Sequence, residues 1–253
     1  MTRLCLASWT ARPDLLHELA PPHVLDSFYY LRNCTDKTLK KLFAYIKSDK
    51  CKTFILDSGA FTYMESAKVN DIKNAMNGIE NVIALCGEDV TRDGLQETPF
   101  RVVKAFMEYT EGYREDPQQH LSKTFDVEHD ELVIVKDIEF NSMCEHHFAP
   151  FYGRVHIGYI PSKKVTGLSK FGRMVDGFAK RFQVQEHLTT QIANAIDDEL
   201  EPQAVMVVVE AQHMCMCGRG IKKSTSSTTT SAVRGEFKDS AQLRNEFLSL
   251  INR

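Results

Sequence analysis

The chain has 253 residues, 43% of them apolar and 26% charged, with a formal net charge of −3. These values suit a soluble globular protein of one large or two modest domains. They give no global basic field for nucleic acid, and no run reaches the roughly 20 apolar residues of a membrane span.

The first 70 residues read differently from the rest. "RLCLASW" and "KTFILDSGAF" are short apolar runs of strand type, and between them "DKTLKKLFAYIKSD" sets Leu39, Leu42, Phe43 and Ile46 on one helical stripe. Strand, helix and strand predict an additional α/β segment over 1–70, too small to fold alone, joined through "SAKVND" to a main domain over 71–253. From Asp71, the residues Ile72, Ala75, Met76, Ile79, Val82 and Ile83 keep helical spacing until Gly87. Thr98 and Pro99 open a second helix through Phe106 and Met107. "ELVIVKDIEF" and "GRVHIGYIP" predict strands, followed by a helix around "SKFGRMVDGFAKRF" and a longer one with Val184, Leu188, Ile192 and Ile196 at four-residue steps. "QAVMVVVEAQ" and "TSSTTTSAVRGEF" predict further strands, and "SAQLRNEFLSLI" a closing amphipathic helix. The order ααββααββα is an α+β arrangement.

Seven cysteines, an odd number, without a convincing secretion signal, predict reduced thiols in a cytosolic setting. Cys144, Glu145, His146 and His147 stand side by side between two predicted strands, and His213, Cys215, Cys217 and Arg219 follow a distant one. If that strand continues, alternation places these last four on one face. A lone cysteine is more often a buried apolar residue, and a lone histidine an ordinary surface or core group. Two Cys/His clusters, both at strands, point instead to one metal site. Mixed thiolate and imidazole donors match Zn²⁺. A structural zinc takes four protein ligands; a catalytic one takes three and leaves a place for water, which it acidifies to a pKa of about 7. Six candidate donors exceed either need, so a spare histidine suits proton transfer.

These motifs resemble the GTP cyclohydrolase I family. The likeness runs from about Asp71 to Arg253 and includes "ETPFRVVKAF", "VKDIEFNSMCEHHFAPFYGRVHIGYIP", "GLSKFGR", "QVQEHLT" and "HMCMCGRGIKK". It implies the tunnelling fold with N-terminal helices, a homodecamer with active sites between subunits, and a cytoplasmic enzyme. The implied reaction converts GTP to 7,8-dihydroneopterin triphosphate and formate, at the head of pterin, folate or 7-deazaguanine synthesis. The resemblance implies Cys144, His147 and Cys215 as zinc ligands, with His146, His213 and Ser169 as catalytic groups and Cys217 a non-ligand. It implies Glu186 and Gln185 at the guanine, and Arg101, Lys104, Lys170, Arg173 and Arg219 at the triphosphate. Glu145 is a candidate partner for orienting a histidine. Two other readings are a nitrile reductase of the same fold and a non-catalytic nucleotide-binding protein with a structural zinc. In the N-terminal segment, "FILDSGAFT" resembles the opening strands of barrel proteins related to tRNA-guanine transglycosylases, although such a barrel does not fit in 70 residues. The alternative there is a divergent extension that packs on the assembly or regulates it.

Overall fold

The computed structural model describes residues 23–27, 53–57 and 69–252, with side chains from 71 onward. The chain divides into two compact units, Met1–Ala105 and Phe106–Arg253. In the first, β1 (His23–Ser27) pairs in parallel with β2 (Thr53–Asp57), His23 opposite Thr53 through Ser27 opposite Asp57. Strand β2 falls within the predicted "KTFILDSGAF" run. The predicted strand "RLCLASW" and the lysine-rich helix lie outside the described residues, and "HVLDS" was not predicted as a strand. Helix α1 (Val69–Leu85) carries the predicted apolar stripe, with Ile72 and Met76 buried, and Gly87 follows at φ +86, a left-handed conformation that glycine adopts without a Cβ penalty. Helix α2 (Thr98–Tyr109) has a buried Pro99 in its first turn, where the missing N–H costs nothing.

The second unit is built on a five-stranded sheet. After the short β3 (Thr124–Asp126) come β4 (Val133–Cys144), β5 (Pro150–Ile160), β6 (Lys164–Thr166), helix α3 (Leu168–Ala179), β7 (Phe182–Gln183), helix α4 (Gln185–Leu200), β8 (Ala204–His213), β9 (Thr228–Gly235) and helix α5 (Ala241–Ile251). The sheet order is β7-β4-β5-β8-β9, antiparallel except for the parallel β4–β7 pair, and β3 pairs separately with β6. This mixed content is the predicted α+β class.

Strand β8 explains the apolar run "AVMVVV". Val205, Val207, Val209 and Ala211 belong to a core shared with Phe171, Met174 and Val175 of α3 and Leu188, Ile192 and Ile196 of α4. The alternate residues Ala204, Met206 and Val208 belong to a second core with Phe237 and Phe247. A strand covered on both faces needs apolar side chains at every position, which removes the alternation of a half-buried strand. Helix α5 starts at Ser240, whose hydroxyl accepts from the Leu243 N–H. Strand β4 carries a register shift between Val135 and Ile138, where Asp137 takes φ +58 and its N–H donates to Nδ1 of buried His156 at 3.2 Å.

Candidate active site and metal centre

Cys144 ends β4, and residues 145–149 carry the chain back into β5. The Cys144 N–H donates to the Ala149 carbonyl at 2.9 Å, and the His147 and Phe148 N–H groups turn back onto the Cys144 carbonyl. Phe148 takes φ +51, an uncommon conformation for a side chain of its size. The turn sets the His147 ring against the Cys144 thiol, with Nδ1 3.7 Å from Sγ. On its other side Cys144 pairs with Gln183 of β7, one residue before Val184, the N-cap of α4.

The third candidate donor follows β8, but not on a continued strand. The strand stops at His213, and Met214–Cys217 form a single helical turn. His213, Cys215, Cys217 and Arg219 therefore do not share one strand face. The turn brings Cys215 to the other two donors, and the ligand atoms of Cys144, His147 and Cys215 all lie within 4.8 Å of one another. Cys217 is spent elsewhere, its thiol lying 3.5 Å from the Lys223 carbonyl and 3.9 Å from that of Ser224.

This donor set fits a tetrahedral metal. Bonds of about 2.0–2.3 Å place ligand atoms some 3.5–3.8 Å apart, close to the observed Cys144–His147 spacing. Burial pushes the Cys215 thiol above its ordinary range, and the neighbouring Cys144 adds to the shift while Arg219 opposes it. A bound cation would act against the Cys215 shift, since it favours the thiolate.

Around these donors lies a cleft of about 250 Å³, lined by Cys144, His146, His147, Gln183, Val184, Gln185, Glu186, His213, Cys215, Met216 and Thr228. Glu186 sits exposed in the first turn of α4, where a carboxylate also complements the helix dipole. His146 is exposed, its Nε2 3.7 Å from Glu145. His213 pairs across strands with Phe151, and the two rings stack at 4.7 Å with planes 3° apart. Burial lowers the His213 pKa, with Glu186 acting against it. Gln185 is only 1% exposed. Its Nε2, with two protons, lies within hydrogen-bonding distance of the carbonyls of Val209 and Thr228 and of Thr230 Oγ1, and its Oε1 faces His213 Nε2 at 2.8 Å. A larger hollow of about 610 Å³ lies along the polar positions of β4, β5 and β8, with Glu139, Tyr152, Arg154 and Glu210 in its lining.

Six of the predicted site residues besides Gln185 thus line one cleft. Ser169, Lys170 and Arg173 lie on α3 outside its lining, with Ser169 and Arg173 exposed. Arg219 is exposed, close enough to influence Cys215. Arg101 and Lys104 are on α2, where Arg101 forms an ion pair with Glu97 one turn earlier. Phe151, Gln183 and Thr230 were missed. An apolar strand residue paired opposite a candidate histidine was the available signal for Phe151; Gln183 and Thr230 had none.

The family model for GTP cyclohydrolase I matches residues 75–252. The chain belongs to the GTP cyclohydrolase I family. Among its relatives, the GTP cyclohydrolase 1 of Carboxydothermus hydrogenoformans is 53% identical over 174 residues, which cover 68% of this chain and 91% of that one. The Corynebacterium glutamicum enzyme is 55% identical over 183 residues, 72% of this chain and 93% of its own. That of Clostridium kluyveri is 50% identical over 182 residues, covering 72% and 97%. The family match begins after the N-terminal 70 residues. Among the described residues of this family member, no helix is long and apolar enough to cross a membrane.

Proposed function

We propose that the chain is a zinc-dependent hydrolase that opens the imidazole ring of GTP, expels C8 as formate and rebuilds the ring as 7,8-dihydroneopterin triphosphate. The observation that carries this is one cleft lined by Cys144, His147 and Cys215, which could hold a metal, two further histidines and the Glu186 carboxylate. Cys144, His147 and Cys215 would hold zinc, leaving one position that supplies an acidified water. Glu186 accepts from N1–H and the 2-amino group of guanine, a donor pair that adenine lacks. His213 supplies a proton to N7 as the ring opens, and His146 serves as a second proton carrier. Ser169 stands at the ribose. Arg101, Lys104, Lys170, Arg173 and Arg219 hold the triphosphate as fixed cations.

Residues 71–253 form the catalytic segment in this reading, with the tunnelling fold and a homodecamer as its architecture. Three features favour such an assembly. Strand β9 is a sheet edge. Tyr109, Tyr113, Phe148 and Leu168 expose apolar surface. Ser169, Lys170 and Arg173 stand outside the cleft, as residues offered to a neighbouring copy's site would. Free thiols at Cys86, Cys144, Cys215 and Cys217 fit a reducing cytoplasm. The test is release of labelled formate from GTP labelled at C8, by the zinc-loaded wild type, by the same protein after chelation, and by Cys215→Ser. Release by the loaded wild type alone is expected. No release from folded, zinc-loaded wild type overturns the reading, and release that survives chelation overturns its metal dependence.

A further inference from the structure

We infer that Gln185 is a positioning residue that locks the His213 imidazole in its Nε2–H tautomer, so that His213 exchanges its reaction proton through Nδ1. This rests on the cyclohydrolase reading for the proton's purpose; the tautomer itself follows from hydrogen-bond bookkeeping.

A buried amide has two donors at Nε2 and an acceptor at Oε1, and its orientation is fixed by its neighbours. Gln185 Nε2 lies 3.0 Å from the Val209 carbonyl, 3.0 Å from the Thr228 carbonyl and 3.1 Å from Thr230 Oγ1. Backbone carbonyls only accept, so turning the amide over would press Oε1 against two oxygens in a buried place. The hydroxyls agree with this orientation. Thr189 Oγ1 spends its one proton on the Gln185 main-chain carbonyl at 2.8 Å. In the 2.6 Å contact between the two hydroxyls, Thr230 must therefore be the donor to Thr189, and Thr230 Oγ1 keeps a lone pair for the Gln185 amide. The two amide protons are shared among these three acceptors, and Oε1 is left facing His213.

Oε1 can only accept, so the 2.8 Å contact requires a proton on His213 Nε2. The Phe151 ring, itself buried and stacked flat on the imidazole, keeps that nitrogen aimed at Gln185. Nδ1 is then the ring nitrogen with an open lone pair, and it is the atom that takes up a proton and returns it. The same geometry withdraws Gln185 from substrate: it is buried and both ends of its amide are engaged within the chain. Its place in this site is behind the histidine rather than against the guanine.

The decisive measurement is made on wild type, so it does not depend on a variant folding. Zinc-loaded full-length protein with ¹⁵N-labelled histidines is read by solid-state NMR at a pH well above the ordinary imidazole value of about 6.5. The His213 signals are identified by their loss in His213→Asn. A pyrrole-type Nε2 with a pyridine-type Nδ1 is expected; the opposite assignment, or exchange between the two, overturns the inference. Steady-state kinetics of Gln185→Leu give a second readout. kcat should fall about a hundredfold, the low end of what a positioned proton carrier contributes, with KM for GTP changed by less than about twofold. A raised KM with kcat preserved would make Gln185 a substrate contact and overturn its assignment. The NMR readout needs no turnover, so a failed tautomer and a failed cyclohydrolase reading are told apart by formate release.

Discussion

Gly153→Ala should damage the fold and the metal centre together. Gly153 sits in β5 between Phe140 of β4 and Ala211 of β8, two residues before His213. A Cβ added there would lie 2.7 Å from Ala211 Cα and 2.8 Å from the Glu210 carbonyl carbon, and it would overlap the Glu210 carbonyl oxygen. Ordinary contact begins at 3.4 Å, so the two backbones must part by at least about 0.7 Å. The obstacles are main chain in paired strands and cannot swing aside as a side-chain end can. Overpacking of this kind costs about 1–3 kcal/mol, and a backbone clash belongs at the upper end. At about 2–4 °C per kcal/mol, the melting midpoint should fall by roughly 6–12 °C. Of the three candidate donors, Cys144 ends β4, His147 lies in the β4–β5 turn and Cys215 follows β8, so the same wedge spreads the set, and zinc should be held about tenfold more weakly or worse. Thermal unfolding and zinc competition with a chromogenic chelator measure the two effects. Gly172→Ala on α3 is the control: nothing lies within 4 Å of its added Cβ, and a helical alanine should stabilise by about 0.5–1 kcal/mol. A Gly153→Ala protein that melts with the wild type and keeps its zinc would refute the reasoning.

Glu186→Gln should lower kcat/KM for GTP by about 10–100-fold, since an amide keeps one acceptor where guanine offers two donors and charge-assisted bonds contribute about 1.5–3 kcal/mol; unchanged kinetics would remove Glu186 from guanine recognition. Stability should also fall in mild acid through His156, which is 4% exposed and accepts the Asp137 N–H. Burial lowers its pKa; Asp137 and Glu210 oppose the shift, and Arg154 and Lys136 reinforce it. A depressed folded pKa means the unfolded chain binds the proton first, so this contribution is intact above about 6.5 and is lost as pH falls, by at most about 1.36 kcal/mol per pH unit. Melting curves across that range should show a slope in wild type that flattens in His156→Gln; parallel curves would count against the sign.

The grouping of Cys144, His147 and Cys215 was legible because few chemistries put thiol and imidazole close together twice in one chain. The helices were legible from spacing: α1 and α4 show it at Ile72 and Met76 and at Leu188, Ile192 and Ile196. What failed was geometry decided across the fold. Nothing in "HMCMCGRG" says that the strand ends at His213, because Met and Cys suit a strand as well as a turn. The place of Gln185 depends on carbonyls of β8 and β9, far along the chain. Asp137 and Phe148 at positive φ are imposed by a bulge and a turn, against their ordinary preference. The parallel partner of β2 was invisible for the same reason, since a five-residue run carries too little pattern to declare its neighbour.

The spacing of the donors along the chain has a mechanical consequence. Cys144 and Cys215 are separated by about 70 residues that include α3, α4 and most of the central sheet, and one ion would tie the two ends of that span. A crosslink closing a loop of such length lowers the entropy of the unfolded chain by an amount equivalent to about 4 kcal/mol at room temperature. Such an ion would act as a clasp on the domain as well as a part of its proposed chemistry, and chelation would loosen the protein.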